Sequence, residues 1–323
     1  MIALLAVFVC SLILTLWLAS GKSPLKVLDA PNERSLHEGA IPKTGGIALL
    51  VALFSGWTWE LQQFDIPMAF IAIFLSALLV ASISFMDDLR ELSPLARIMV
   101  HAVAAAILVS SGLTVHDSFA GDLFSFLAII WMLNLYNFMD GMDGFAGGMA
   151  LSGFAFIGLA GYLQGEELFA LLAWMVAAAS AGFLFKNFPP AKIFMGDTGS
   201  AVIGFLAAAF SLWGVRDGLF PLWFPLLLFS PFVVDATVTL FRRLLRGEKV
   251  WQAHREHYYQ RLVLAGWGHK KTVLIEYLLM GAVGFSALAM LYWKPLIPYG
   301  SGLWVVAYTL LAYKSDQLCN SKV

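Results

Sequence analysis

The sequence predicts an all-α, polytopic integral membrane protein with about eleven transmembrane helices. Three observations support this prediction: 60% of the 323 residues are hydrophobic, only 13% are charged, and the mean hydropathy is +0.80. Soluble domains carry about 25% charged residues, so a water-soluble globule is excluded. The net charge is −1, so the chain has no overall basic field of the kind that attracts nucleic acid.

Each predicted helix is an apolar run of about 20 residues, the length that crosses the hydrocarbon core of a bilayer. Clusters of Pro, Gly and charged residues separate the runs. They cover residues 1–20, 44–60, 66–86, 95–114, 120–138, 145–164, 167–185, 199–215, 219–240, 272–293 and 296–313. The first run has no basic residue ahead of it and is followed by Lys22 and Lys26. This pattern favours a retained helix with its N-terminus outside over a cleaved signal peptide.

The basic residues are distributed unevenly between the two sides of the membrane. When the chain is threaded from an outside N-terminus, every Lys and Arg except Arg216 and Lys294 falls on the other side. That side is predicted to be the cytoplasm, and the C-terminus lies there too. We therefore expect one transmembrane domain over residues 1–323, embedded in a lipid bilayer, with its functional groups in the cytoplasmic segments. These segments are 20–43, 86–97, 139–144, 186–198 and 241–271.

Two adjacent carboxylates, Asp87 and Asp88, end the third predicted helix on the cytoplasmic side. Neighbouring carboxylates repel each other, and a divalent cation, a bound proton or the nearby Arg90 would relieve the repulsion. The pair therefore suggests a cation or phosphate site, with a solvated loop at the membrane boundary as the alternative.

Four polar residues follow one another at three-residue intervals at the end of the fifth predicted helix. Asn134 and Asn137 come first, and Asp140 and Asp143 then each precede a glycine. Glycines let the backbone approach a ligand closely, and the Asp side chains supply acceptors in the same small volume. A plain connector between two helices does not need this pattern, so we predict a ligand site here.

Gly-Asp-Thr-Gly-Ser at 196–200 leads into the N-terminus of the eighth predicted helix, and Asn187 lies upstream of it. A helix N-terminus offers unpaired N–H groups to a phosphate, and Asp197 could hold Mg²⁺ beside the phosphates. An ordinary N-cap on Thr198 or Ser200 is the alternative.

Two further loops carry cations that suit an anionic ligand. His254, His257 and Arg261 lie in the last cytoplasmic loop and could contact a diphosphate. Arg34 and Lys43 lie in the first and could contact an anionic headgroup. The positive-inside rule also accounts for the basic residues without a ligand, although it does not account for the histidines.

Asp235 lies inside the ninth apolar run, where a carboxylate is costly. We predict that it faces the bundle interior or a wet cavity in a functional role, with a structural polar contact as the alternative. All these residues together suit phosphate chemistry with Mg²⁺, or Mn²⁺ in its place, on a substrate whose apolar part lies in the bilayer. The sequence has no Gly-x-x-x-x-Gly-Lys-Ser/Thr motif, so ATP is not the expected donor.

These blocks, in this order, resemble the bacterial polyprenyl-phosphate N-acetylhexosamine-1-phosphate transferases, the integral-membrane family that also contains phospho-N-acetylmuramoyl-pentapeptide transferase. The resemblance covers most of the chain. It rests on Pro-Asn-Glu-Arg-Ser at 31–35, the Asp87-Asp88 pair, Asn-x-x-Asn-x-x-Asp-Gly-x-Asp-Gly-x-Ala at 134–146, Asn187-x-x-Pro190, Met-Gly-Asp-Thr-Gly-Ser at 195–200 and the late histidine loop.

The resemblance implies a reaction in which a UDP-N-acetylhexosamine gives its sugar 1-phosphate to undecaprenyl phosphate, yielding the lipid diphosphate sugar and UMP, with Mg²⁺. It also implies a bacterial inner membrane with the active site facing the cytoplasm, a role in starting a surface polysaccharide such as O-antigen, and a homodimer as an expected assembly. Nucleic acid is not an expected partner.

The resemblance also implies roles for individual residues. Asp197 is similar to the metal ligand, with Asp88 as a second ligand. Asp87 and Asp88 are similar to the pair that handles the lipid phosphate, and Asp87 is the one expected to take a proton from the attacking oxygen or to orient it. Asn137, Asp140 and Asp143 are similar to residues that line the nucleotide site.

One block departs from the family pattern. Well-known members carry His-x-His-His in the last cytoplasmic loop, whereas Tyr259 and Gln260 stand here where two of the histidines would be. The change suggests a subgroup that uses a different sugar. A secondary transporter of an anionic solute is the alternative function, although transporters keep their polar sites near the bilayer midplane. A CDP-alcohol phosphotransferase is a third, but its single longer Asp-rich motif is missing from the sequence.

Overall fold

The computed structural model describes residues 1–20, 22–25, 27–29, 36, 39–90, 92–249 and 254–320. Over these residues the chain is helical apart from loops and one short antiparallel strand pair, in which Leu28 faces Pro42. The elements in chain order are α1 (Ile2–Ala19), β1 (Leu28–Asp29), β2 (Ile41–Pro42), α2 (Gly45–Glu60), α3 (Met68–Arg90), α4 (Pro94–Ser110), α5 (Phe119–Met139), α6 (Phe145–Leu163), α7 (Glu167–Asn187), α8 (Gly196–Arg216), α9 (Trp223–Leu228), α10 (Ser230–Leu245), α11 (Tyr258–Leu262), a π-helical turn (Val263–Trp267), α12 (Gly268–Tyr292), a 3₁₀ turn (Lys294–Leu296) and α13 (Ile297–Asn320).

Helix lies on every one of the predicted apolar runs, which confirms the all-α membrane fold. Among the described residues, eight helical stretches are long and apolar enough to cross a membrane. Helices α2, α4 and α10 are shorter, with 16, 17 and 16 residues. The count of about eleven spans and the orientation of the termini stay predictions.

Several element boundaries differ from the predicted ones, and three of the differences bear on the site. Helix α8 begins at Gly196 and α12 at Gly268, so both start earlier than their apolar runs. The ninth run is two helices that meet at Phe229, because Pro231 has no N–H to donate and fits only the first turn of a helix.

Helix α8 is the centre of the bundle and packs against α2, α3, α5 and α6. In the apolar stretch of α8, 89% of the residues are buried. In the apolar stretch of α13, none are. Helices α3, α5 and α7 end on the side where α2 and α8 begin, so the polar ends of these five helices come together. A Cβ at Gly46 would lie 2.4 Å from the backbone N of Gly199, so the close approach of α2 to α8 needs glycine at this position.

Candidate functional site

A polar pocket of about 260 Å³ opens where these helix ends meet. Six residues of the sequence-predicted site line it: Lys43, Asn137, Asp140, Asp143, Asn187 and Asp197. Asp29 and His269 add further polar groups to its lining, and the remaining lining residues are Leu36, Gly141, Met142, Phe194 and Gly196. A larger cavity of about 910 Å³ lies between the start of α1 and the end of α2, but its lining is mostly apolar. The smaller pocket is therefore the candidate site, because it gathers the chemistry-bearing residues.

Asp88 caps the N-terminus of α8 from a neighbouring helix. Its Oδ2 accepts from the backbone N of Thr198 at 2.9 Å and from its Oγ1 at 2.6 Å. Its Oδ1 accepts from the backbone N of Asp197 at 3.3 Å and pairs with Lys43 Nζ at 3.2 Å. Met195, at the N-cap position, makes no side-chain cap, so Asp88 fills this role. The amides for which the sequence predicts a phosphate are thus occupied by a carboxylate, and neither Thr198 nor Ser200 is the N-cap.

Arg97 links the carboxylate of Asp87 to that of Asp197. One of its guanidinium nitrogens lies 2.7 Å from Asp87 Oδ2 and 3.3 Å from Asp197 Oδ2. Asp87 is buried, and its other oxygen accepts from the backbone N of Leu92 at 2.6 Å. Asp197 is half-buried, with 35% of its side chain exposed toward the pocket. Arg90, the expected partner of the pair, is exposed, whereas Arg97 makes the contact.

Asp140 lies in the pocket wall beside Asn137. Burial raises the pKa of Asp140 well above its ordinary range, and the negative charges of Asp197, Asp88 and Asp29 raise it further. This clustering of carboxylates makes the pocket a place where a bound cation would be stabilised.

The double Asp-Gly turn is held by buried side chains. Asn187 accepts from the backbone N of Gly144 at 3.0 Å and donates to the carbonyl of Ile193 at 2.9 Å. Asp143 Oδ2 accepts from the backbone N of Ala191 at 2.9 Å. Asn187 therefore fixes the shape of the pocket through both ends of its amide, even though it also lines the wall.

The loop that carries His254 and His257, called the histidine loop here, leads into α11, and α11 packs against the double Asp-Gly turn. Tyr259 is fully buried, and its hydroxyl donates to the carbonyl of Phe138 at 3.2 Å. A Cβ at Gly141 would lie 2.2 Å from this hydroxyl oxygen. The turn can therefore pack on Tyr259 only because residue 141 is glycine.

Four predicted substrate contacts do not line the pocket. Asn134 donates to the carbonyl of Ile130 in its own helix at 2.7 Å. Arg261 pairs with Asp316 of α13 at 2.5 Å. The ring centroids of His254 and His257 lie 4.8 Å apart, with the two rings tilted by 36°. Arg34, a fifth predicted contact, lies outside the described residues.

Asp235 organises the histidine loop. Its carboxylate accepts from the backbone N of Tyr258 at 3.0 Å and of Tyr259 at 3.1 Å, and it lies 3.2 Å from His257 Nδ1. It therefore caps α11, and the structural alternative describes it better than the predicted functional role. Burial, followed by the neighbouring His257 and Arg243, lowers the pKa of His254 to about 4, so this histidine is neutral at pH 7.

The pocket fits a divalent cation held by few protein ligands. Within the described part of the chain, no three Asp, Glu, His or Cys side chains form a ready-made metal site. Mg²⁺, however, typically takes one or two carboxylates and completes its shell with water and substrate phosphates. Asp197 meets this need, because its carboxylate is exposed to a pocket rich in negative charge.

Sequence reasoning missed Arg97 and His269, both of which contact predicted site residues. His269 Nδ1 lies 3.0 Å from Asp143 Oδ1. Arg97 lies 100 residues from Asp197 in the chain, and His269 lies 126 from Asp143. The one available signal is that His269 is a third histidine in a loop where the topology rule calls only for Lys and Arg.

The family model and the relatives that match this chain are all named as transferases. Residues 70–215 match the family described as glycosyl transferase family 4. A probable undecaprenyl-phosphate N-acetylglucosaminyl 1-phosphate transferase of Bacillus subtilis strain 168 is 30% identical over 81% of this chain and 77% of its own. A decaprenyl-phosphate N-acetylglucosaminephosphotransferase of Mycobacterium leprae is 29% identical over 84% of this chain and 78% of its own. An undecaprenyl-phosphate alpha-N-acetylglucosaminyl 1-phosphate transferase of Escherichia coli O157:H7 is 26% identical over 81% of this chain and 76% of its own.

Proposed function

This chain belongs to the polyprenyl-phosphate N-acetylhexosamine-1-phosphate transferase family, and we propose that it transfers N-acetylhexosamine 1-phosphate from a UDP-sugar to undecaprenyl phosphate. The observation that carries the proposal is the polar pocket at one end of an apolar helical bundle, where Asp140, Asp197 and Lys43 meet. Such a pocket suits a lipid whose chain lies in the bilayer and whose phosphate reaches the surface. The names of the relatives give no support to the transporter alternative.

The proposed reaction exchanges one phosphoanhydride for another. An oxygen of undecaprenyl phosphate forms a bond to the phosphorus that carries the sugar, and the bond from that phosphorus to the UMP oxygen breaks. The products are undecaprenyl diphosphate sugar and UMP, and no further energy source is needed. Because the acceptor phosphate is already ionised at pH 7, direct attack is the simpler route.

The residues that handle the acceptor are Asp87 and Arg97 in this proposal. Both oxygens of Asp87 already accept hydrogen bonds, from Leu92 and from Arg97, so Asp87 orients the attacking phosphate oxygen through Arg97. The Arg97 guanidinium also offsets the negative charge that the phosphate brings next to two carboxylates. Asp197 is the residue that would hold Mg²⁺, or Mn²⁺ in its place, which when bound supplies positive charge to the diphosphate. We assign Asp88 to positioning rather than to the metal, because both of its oxygens already accept hydrogen bonds.

The donor is proposed to bind on the side of the pocket formed by the double Asp-Gly turn. Asn137, Asp140 and Asp143 face the nucleotide there, and Lys43 offers a cation to the diphosphate. Contacts from Asn134, Asn187, Arg34, His254, His257 and Arg261 remain part of the proposal. For His254, His257 and Arg261, a contact requires the histidine loop to move toward the pocket.

The proposed setting is a bacterial inner membrane with the pocket open to the cytoplasm, where UDP-sugars are available. The distribution of Lys and Arg supports this orientation. The proposed biological role is the first membrane step of a surface polysaccharide such as O-antigen, carried out by a homodimer.

The test is release of UMP by detergent-purified protein supplied with Mg²⁺, undecaprenyl phosphate and one UDP-N-acetylhexosamine at a time. We expect UMP only when the lipid is present, and loss of UMP in Asp197→Asn and Asp87→Asn proteins that still fold. UMP release that does not depend on the lipid, or no release with any donor, would contradict the proposal.

A further inference from the structure

His269, at the start of α12, connects two walls of the pocket. Its Nδ1 faces the Asp143 carboxylate, with 3.0 Å to Oδ1, and its Nε2 lies 3.2 Å from the carbonyl oxygen of Leu36. Leu36 lines the pocket together with Asp29 and Lys43. Leu36 and His269 are 233 residues apart in the chain, so a single side chain joins an early loop to a late helix.

Asp143 is fixed at both ends of its carboxylate. Its Oδ2 accepts from the backbone N of Ala191 at 2.9 Å, which leaves Oδ1 to His269. The side chain is also buried. The direction in which Asp143 points into the pocket therefore depends on Ala191 and His269 together.

The contacts of the imidazole hold in two protonation states. With Nε2 protonated and Nδ1 not, Nε2 donates to Leu36 and Nδ1 accepts from the backbone N of Asp143, which lies 3.3 Å away. With both nitrogens protonated, Nδ1 donates to the Asp143 carboxylate instead. His269 thus bridges the two walls whether it is neutral or charged.

We propose that His269 is a positioning residue for the donor nucleotide, holding Asp143 and the Leu36 segment in place as two walls of its pocket. The inference rests on the proposed function. Leu36 and Asp143 both line the pocket, so loss of the bridge frees both walls to move away from the donor. It should therefore weaken donor binding rather than slow the chemical step.

Three substitutions separate the two contacts. His269→Ala removes both. His269→Asn puts an amide near the position of Nδ1, where it reaches Asp143 but not Leu36. His269→Gln puts the amide near the position of Nε2, where it reaches Leu36 but not Asp143. Lys270→Ala is the matched control, because Lys270 is the next residue of the same helix and is exposed.

The kinetic test is the KM for the UDP-sugar that supports UMP release, measured beside the KM for undecaprenyl phosphate. For His269→Ala we expect the donor KM to rise about tenfold, as loss of one charge-assisted hydrogen bond implies. The acceptor KM and kcat should change less than threefold, and Asn and Gln should each restore part of the donor KM. An unchanged donor KM in His269→Ala, or a loss confined to kcat, would overturn the proposal.

Hydrogen–deuterium exchange tests the bridge without substrate. Exchange of the backbone amides of residues 39–41 and of Lys43 should increase in His269→Ala and His269→Asn but stay at the wild-type level in His269→Gln and Lys270→Ala. Equal exchange in all five proteins would overturn the bridge. Absence of UMP release in the wild-type protein would instead count against the proposed function, so the two failures are distinguishable.

Discussion

Replacing Asp88 tests whether this residue positions α8 or binds the metal. Its carboxylate is 3% exposed and accepts from two backbone amides, one hydroxyl and Lys43. Removing one partner from a buried charged pair costs about 3–5 kcal/mol. For Asp88→Ala we therefore expect a loss of stability of about this size. Asp88→Asn keeps one acceptor oxygen, so its loss should be nearer 1.5–3 kcal/mol, the range of a hydrogen bond to a charged group.

Asp197→Asn is the matched comparison. Asp197 is half-buried and lies in a cluster of carboxylates, so loss of its charge removes repulsion. We expect its melting temperature to equal or exceed that of the wild-type protein, while its UMP release falls by about a hundredfold or more. The Asp88 variants should show the reverse pattern in stability, with a melting temperature several degrees lower.

Intrinsic tryptophan fluorescence during heating measures both effects, because the chain contains 11 Trp residues. The activity of each variant is then titrated with Mg²⁺. If Asp88 only positions α8, the Mg²⁺ concentration at half-maximal rate in Asp88→Asn stays close to the wild-type value. A wild-type melting temperature together with a greatly increased Mg²⁺ requirement would refute the positioning role and make Asp88 a metal ligand.

Three further predictions follow from contacts of the site. Gly141→Ala should lower the melting temperature, because the new Cβ meets the Tyr259 hydroxyl oxygen at 2.2 Å, and adding Tyr259→Phe should restore part of the loss, whereas no rescue would contradict this packing. The pKa of His254 is lowered to about 4, so the unfolded chain binds more protons than the folded chain between about pH 4 and 6.5, and stability falls as the pH falls through this range. His254→Gln should therefore flatten this part of a plot of melting temperature against pH. An unchanged slope would argue against a lowered pKa of His254. Arg97→Ala should lower the Mg²⁺ concentration needed for half-maximal UMP release while reducing kcat, because Asp197 loses a competing cation; a higher Mg²⁺ requirement would count against the proposed metal position.

Hydrophobicity predicted the helices well because a membrane imposes a simple rule on sequence. Every apolar run carries helix, and even the buried α8 reads as an ordinary span. Boundaries were less predictable. Helix α8 starts at Gly196 rather than 199 because Asp88, on another helix, accepts hydrogen bonds from its first backbone N–H groups. Asp88 is 110 residues from Thr198 in the chain, so no local sequence pattern predicts this cap.

The candidate site was predictable where its residues are close in sequence. Asn137, Asp140 and Asp143 lie at the end of α5 and in the turn that follows it, and all three line one pocket. Arg97 and His269 were missed because they join the site through tertiary contacts that leave no spacing to read. Asp235 was expected to have a functional role because a carboxylate among apolar residues is costly, but here backbone N–H groups of the histidine loop satisfy it.

The central claim is that a sugar phosphate moves to the lipid, and the fate of the donor's β-phosphorus tests it most directly. Purified protein is incubated with Mg²⁺, undecaprenyl phosphate and UDP-N-acetylglucosamine labelled with ³²P at the β-phosphorus, and the lipid is then extracted. The account predicts that the label enters the lipid fraction in equal amount to the UMP released, and that it stays in water with Asp197→Asn. Label that remains in water as UDP while the sugar alone reaches the lipid would contradict the account.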